Sequence, residues 1–400
     1  MSDILHSDPR ALEDPPRVRP WNNPVYRQIG YQVLLGAVLA IGLWFAASNV
    51  IANLAKQNKS LGFHFLGQTA GFDISQTLVR YSNMSTNGRV FLVGLLNTAL
   101  VAVTGIMLAT LLGFVIGISR LSTNWLVRQM ATAYVEVLRN VPLLLQLFFW
   151  YFGILQTLPG TRQSLTLPGG GFLNVRGLHL PKPVPDEGFS LVLLAAAAGL
   201  AATFVLRWWA RRRQLATGQT FPVVWSALGL ILGAPLLAFL AAGRPLHFDY
   251  PELKGFNFEG GMVLQPEFMA LLLGLVFYTA AYIAEVVRSG IVAVPKGQTE
   301  AARSLGLSAT DNLRLVVIPQ AMRVMVPPLT NQYLNLTKNS SLGVAIGYPD
   351  LVSVFAGTVL NQTGQAVEAI FMTMMVYLAM SLATSALMNW FNQRIALVER

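Results

Sequence analysis

The chain has 400 residues, of which 54% are hydrophobic and only 12% charged; it carries a formal net charge of +10 at pH 7 and no cysteine. Soluble domains carry about 25% charged residues, so the composition argues for a membrane protein and against an ordinary globular enzyme. Disulfides and thiolate metal sites are excluded, and His6, His64, His179 and His247 are too scattered to show metal-ligand spacing.

Windows of about 20 apolar residues cross a hydrocarbon core of about 30 Å. They centre on 29–54, 91–118, 131–155, 189–206, 223–242, 268–287, 326–346 and 366–391. The fold class is therefore all-α, a polytopic membrane protein with about eight transmembrane helices. Residues 1–27, with Pro9, Pro15, Pro16, Pro20 and Pro24 amid charges, form a tail expected to be disordered until it reaches the membrane. Residues 28–87 give a first membrane anchor and an outer loop. That first apolar window is too long for a signal-peptide core and reads as a retained anchor.

Residues 88–158 hold the second and third windows. Asn97 and Thr98 are polar positions inside the second. In the third, Glu136 and Arg139 are three apart and share a helix face, so an ion pair at the inner mouth is expected. Pro142, one turn on, is placed to kink this span. Residues 159–265 are an insertion: a Gly/Pro-rich loop near 159–185, an apolar helical pair around Arg211-Arg212-Arg213, and a second outer loop through Phe258. Its alanine-rich stretch 194–202 has little polar content and suits packing and bilayer anchorage.

Residues 266–393 contain the remaining spans. Glu285 lies toward the inner end of the sixth, where a carboxylate costs less than the 2.5–3.5 kcal/mol, roughly, of the helix centre. Arg288 at i+3 neutralises it on one reading; on the other it lines a cavity and meets an ammonium group. Glu300 to Leu305 suit a compact helix that Gly306 ends, because glycine accepts the left-handed conformation of a C-terminal cap. Ser308 with Asp311 is a capping-box pattern that starts the next helix, and Pro319 is expected to stop it. The seventh window then opens with Pro327-Pro328, where missing backbone donors are tolerated. Its run Asn335, Thr337, Lys338, Asn339, Ser340 and Ser341 cannot face lipid and must face protein or water. Lys338 can pair with a substrate carboxylate or with an acid on a neighbouring helix. Residues 394–400 form the C-terminus.

The basic balance is one of topology, and no nucleic-acid partner is expected. With the N-terminus cytoplasmic, 17 basic residues, among them Arg10, Arg17, Arg19, Arg27, Arg211, Arg212, Arg213, Lys296 and Arg303, fall inside and 9 outside, a bias that favours this orientation by the positive-inside rule. That orientation also puts the C-terminus and the 300–319 hairpin in the cytoplasm.

Glu300-Ala301-Ala302-Arg303-Ser304-Leu305-Gly306, with Ile318-Pro319 downstream, resembles the EAA loop of bacterial ABC-importer permeases. Val135-Glu136-Val137-Leu138-Arg139-Asn140-Val141-Pro142-Leu143-Leu144-Leu145-Gln146 and Ala281-Tyr282-Ile283-Ala284-Glu285-Val286-Val287-Arg288-Ser289-Gly290 resemble signatures of the polar amino-acid permeases. The chain is most similar to permease subunits of general L-amino-acid importers, over about 88–158 and 266–393. The resemblance implies a type I ABC-importer permease core with an inserted helical hairpin, multi-pass in the bacterial cell inner membrane. It implies docking of a partner ATPase subunit at Glu300, Ala301, Ala302 and Gly306. It also implies a second related permease subunit, a periplasmic amino-acid-binding protein and an L-amino acid substrate. The substrate pathway is expected at Glu285, Lys338, Asn339, Ser340 and Asn97.

There is no Gly-x4-Gly-Lys-Ser/Thr sequence, hence no phosphate cradle of the P-loop kind. ATP and Mg are then bound by the partner ATPase and no cofactor by this chain. The alternative is an ion-gradient-driven secondary amino-acid transporter with sites at broken helices, which leaves the cytoplasmic hairpin unexplained. A membrane enzyme using Glu285, Lys338 or Glu136 lacks a nucleophile–base pair, a metal cluster or a cofactor motif.

Overall fold

A computed structural model describes residues 24–56 and 62–395. Pro9, Pro15, Pro16, Pro20, His6 and residues 396–400 lie outside the described residues, and so do most of the expected terminal tails. The first apolar window is α1, Pro24–Lys56, and the second is α2, Asn87–Ser119, capped by the Thr86 hydroxyl, which accepts from the Arg89 N–H. The third window is broken: α3, Trp125–Asn140, and α4, Leu143–Phe148, the latter extended by a wide turn to Thr157, meet at 106°. Pro142 sits at the break and supplies the kink.

The insertion follows. Helix α5, Phe189–Thr217, returns through α6, Val223–Leu228, and α7, Ala234–Ala241, which a wide π-type turn joins into one apolar rod. Its flanking outer segments, expected as loops, instead form short antiparallel strands. These are β1 Leu165–Leu167, β2 Gly171–Asn174, β3 Gly177–Leu180 and β4 Lys182–Pro185 before the hairpin. After it come β5 Leu246–Asp249, β6 Glu252–Lys254, β7 Asn257–Glu259 and β8 Met262–Leu264. One sheet runs β1-β2-β3-β8 and another pairs β4 with β5, so Leu178 faces Leu264 and Lys182 faces Asp249. The two outer segments are stitched together above an otherwise helical protein.

Helix α8, Pro266–Val292, is the centre of the permease core. It is followed by α9 Lys296–Ser304, α10 Ala309–Asn312 and α11 Ile318–Asn339, then by α12 Leu360–Thr363 and α13 Ala366–Ile395. Helices α2 and α8 make the most extensive helix pair, and α3, α4 and α11 also pack on α8. The approach of α2 to α8 depends on Gly117: a Cβ there would stand 2.7 Å from the Val287 Cβ and 2.8 Å from the Ala284 carbonyl. Close-packed interiors do not absorb such an overlap without moving apart. Leu147, Leu271, Leu275, Ile283 and Leu336 are fully buried around this contact.

Among the described residues six helices, or seven with the bent pair, are by length and apolar composition able to cross a membrane, against about eight apolar windows in the sequence. The window 326–346 accounts for the difference. It divides between α11 and a tight helical run Ser340–Ile346, and its polar side chains keep α11 short of that apolar standard. Pro319 does not stop the helix. A wide π-type turn, Leu313–Val317, precedes it and removes the clash a proline ring makes with the carbonyl four residues back. Pro327 and Pro328 likewise lie inside α11, not at its opening.

Candidate functional site

The polar segment between α8 and α11 is a rigid knuckle built by local sequence. Helix α9 ends in a Schellman arrangement: Gly306 N–H donates to Arg303 O at 2.9 Å and Leu307 N–H to Ala302 O at 3.1 Å. Gly306 sits at φ +77°, in the left-handed region. Ser308 caps the next helix as expected, with Asp311 bonded to its hydroxyl. Ser308 Oγ accepts from Asp311 N–H at 3.1 Å and donates to Asp311 Oδ2 at 2.7 Å. Ala302 is the one buried residue of α9 and seats the helix. Glu300, Ala301 and Gly306 are exposed, and Leu305 is 82% exposed.

Beneath the knuckle, Glu285 is clasped from two sides. Arg288 Nη2 donates to its Oε1 at 2.6 Å, and Arg120, at the C-terminal end of α2, donates to Oε2. The carboxylate thus ties α2 to α8, each of its oxygens accepting from a guanidinium. The expected pair of Glu136 with Arg139 does not form. The Arg139 guanidinium lies 5.0 Å from the Tyr282 ring centroid instead, and both side chains are exposed. A cation over an aromatic face competes well with an exposed ion pair, whose net value is about 0–1 kcal/mol. The bend between α3 and α4 is fixed by buried Gln146, whose Nε2 donates to Leu138 O at 2.9 Å and Val141 O at 3.0 Å.

The polar run of α11 separates by face. Ala321, Met325, Leu329 and Leu336 are buried, whereas Asn331, Asn335 and Lys338, spaced at i, i+4 and i+7, are exposed on another face. Asn339 is half-buried. Lys338 makes no ion pair or side-chain hydrogen bond among the described residues. Ser340 is fully buried, its Oγ donating to Thr337 O at 2.8 Å. Asn97 is also fully buried, its Nδ2 donating to Gln76 O and Pro349 O, both at 2.9 Å. Asn97 and Ser340 therefore lie within the packing, and Lys338 with Asn339 at its open edge.

Two positions escaped the sequence reading. Asn331 extends the polar face of α11 by one turn; the helical spacing back from Lys338 was its signal. Asp350 is fully buried, accepting from Ser353 N–H at 2.8 Å on Oδ1 and from Tyr377 OH at 3.4 Å on Oδ2. Asp followed three residues later by a donor is an N-cap pattern. The cap and Asn97 together fix the 347–351 turn against α2.

Residues 191–397 match the family described as "Binding-protein-dependent transport system inner membrane component". The general L-amino acid transport system permease protein AapQ of Rhizobium johnstonii is 54% identical over 378 residues, 94% of each chain. The putative amino-acid ABC transporter permease protein YhdX of Escherichia coli is 53% identical over 382 residues, 94% of this chain and 96% of that one. The glutamate/glutamine/aspartate/asparagine transport system permease protein BztB of Rhodobacter capsulatus is 42% identical over 406 residues, 94% and 95%. The chain belongs to the family of binding-protein-dependent transport system inner membrane components. It is a multi-pass inner-membrane permease subunit of the ABC-importer class.

Proposed function

We propose that this chain is the permease half of an ATP-driven importer of polar or general L-amino acids. A separate ATPase docks on the knuckle formed by α9 and α10, a second related permease subunit completes the path, and a periplasmic binding protein delivers the amino acid. ATP and Mg are held by the ATPase, and both termini of this chain are cytoplasmic. The observation that carries the reading is the knuckle itself: Glu300, Ala301 and Leu305 exposed on a turn braced by Ala302 and Gly306. Rigid connection through Leu313–Val317 into α11 lets a push on the knuckle move a span. Such a cycle is a two-state equilibrium biased by ATP and ligand.

The amino-acid cargo is supported by the names of the relatives whose alignment covers 94% of the chain. Lys338 is assigned to the substrate carboxylate, with Asn339, Asn335 and Asn331 along the same aqueous face. Glu285 contributes through the clasp with Arg120 and Arg288, which keeps α2 and α8 in register as the spans rock.

Reconstitution tests this. The chain with its second permease, ATPase and binding protein is placed in proteoliposomes, and ATP hydrolysis and radiolabelled amino-acid uptake are read together. Hydrolysis stimulated by loaded binding protein, with uptake following, is the expected result. Uptake that proceeds without the ATPase and collapses with the ion gradient would make the chain a secondary transporter.

A further inference from the structure

The inserted hairpin carries charge that the transport reading does not use. All the basic residues of α5–α7 fall in one short stretch, Arg207, Arg211, Arg212 and Arg213, and no acidic residue occurs between Glu187 and Asp249. The structure divides these four arginines into two pairs. Arg212 lies 4.1 Å from the Trp208 ring centroid, and Arg213 lies 5.4 Å from that of Trp209 while donating to Gln219 Oε1 at 2.8 Å. The side chains of Arg207 and Arg211 have no ion pair or hydrogen bond among the described residues.

Those two side chains instead line a groove of about 780 Å³ between α5 and α6. They are four apart and share a helix face, with Gln214 next along it. The opposite wall is apolar, formed by Val224, Leu228 and Ile231. The groove therefore has a cationic rim and a hydrocarbon-like side. It lies at the end of α5 away from the β-strands, and one crossing of α8 leads from those strands to the knuckle, so groove and knuckle share a side of the membrane. Trp208, Trp209 and Trp225 stand exposed around it, and tryptophan concentrates at the membrane–water boundary. Headgroup depth, an apolar wall and two unpaired guanidiniums together describe a lipid site. Arginines that merely snorkel toward water need no groove.

We propose that this groove binds one anionic phospholipid. Its phosphate is held by Arg207 and Arg211, Gln214 donates to the headgroup, and an acyl chain lies along Val224, Leu228 and Ile231. Phosphate suits a pair of guanidiniums, each able to donate two parallel hydrogen bonds. An anionic lipid also brings the countercharge that the acid-free hairpin lacks. The assignment is independent of which solute the permease carries.

The test uses the assembled transporter in vesicles of about four parts phosphatidylcholine to one part phosphatidylglycerol, a moderately anionic surface. After extraction in mild detergent, retained lipid per complex is counted by mass spectrometry. The wild-type complex is expected to keep phosphatidylglycerol in preference to phosphatidylcholine. Arg207→Gln with Arg211→Gln is expected to lower that retention about tenfold or more, from two lost charge contacts. Arg212→Gln with Arg213→Gln leaves it unchanged. Arg207→Lys with Arg211→Lys retains most of it, which separates lost charge from lost folding. Equal retention of the two lipids by wild type, undiminished retention in the double glutamine variant, or full displacement by inorganic phosphate alone would each overturn the proposal.

Discussion

Lys338 and Glu285 show how differently two charges can be used inside one membrane core. A charged side chain costs about 2.5–3.5 kcal/mol on insertion scales at the bilayer centre and less toward its edges, so each gains from compensation. Glu285 obtains it within the chain, from Arg288 one turn away and from Arg120 across the helix contact. Lys338 obtains none from the described residues and stands on the same open face as Asn331 and Asn335. Its countercharge must arrive from outside, and the substrate carboxylate is the proposed one. Lys338→Met is expected to leave assembly and melting temperature of the complex unchanged while lowering uptake about tenfold or more, the loss of one charged hydrogen bond. Uptake at the wild-type rate would show that Lys338 faces lipid headgroups or the second subunit instead. The Asn97 amide could not have been separated from Lys338 by sequence alone, since both are polar groups in apolar windows. Its partners, Gln76 and Pro349, are remote along the chain.

Among the elements, the knuckle was legible in the sequence because its determinants are local. Glycine at a helix C-terminus and serine three residues before an acid act within a turn or two of themselves. Gly306 at φ +77° admits no proline, whose ring fixes φ near −65°. Gly306→Pro is expected to abolish stimulation of ATP hydrolysis by loaded binding protein while leaving the α2–α8 core at its wild-type melting temperature. Glu300→Lys, which reverses charge on the exposed face, is expected to act the same way. Normal coupled uptake in either variant would remove the knuckle from the coupling mechanism. The β-strands were not legible. At three or four residues each they offer too short a pattern to recognise, and their pairing joins segments that flank an entire helical hairpin. In β3, His179 is buried with neither ring nitrogen hydrogen-bonded, and stacks 4.6 Å from the Phe258 ring centroid. Burial, then the charge of Arg176, lowers its pKa from the ordinary imidazole value. A neutral form favoured by folding contributes stability above the unfolded pKa of about 6.5 and loses it as pH falls through the lower folded value. Protection factors for hydrogen exchange across 165–180, corrected for the intrinsic pH dependence of amide exchange, are expected to fall on acidification from about pH 7 to about pH 5. His179→Phe is expected to abolish that fall, and an unchanged acid response would place its origin elsewhere.

At the scale of the whole molecule, the hairpin α5–α7 is attached where β4 meets β5. Pro185 pairs with Leu246, and the Asp186 N–H donates to Pro245 O at 3.2 Å, so the two ends of the insertion are already adjacent. Replacing 187–244 by Asn-Gly supplies the two-residue turn such a strand pair accepts. The shortened chain is expected to assemble with its partners and import at a wild-type rate per complex, while losing the retained anionic lipid. Failure to assemble would mean that the hairpin holds the core together. The apolar windows, the broken third span, the knuckle and the membrane class follow from the sequence by itself, because length, hydropathy and caps are properties of neighbouring residues. Only the tertiary structure decided that Glu285 belongs to Arg120 as well as Arg288, that Asn97 and Ser340 are packed away from Lys338, and that the outer segments are strands. It also showed that Pro319 lies within a continuing helix. Each of those outcomes depends on which distant residue or neighbouring turn receives a polar or strained group, and a buried group takes whatever partner the packing brings within reach.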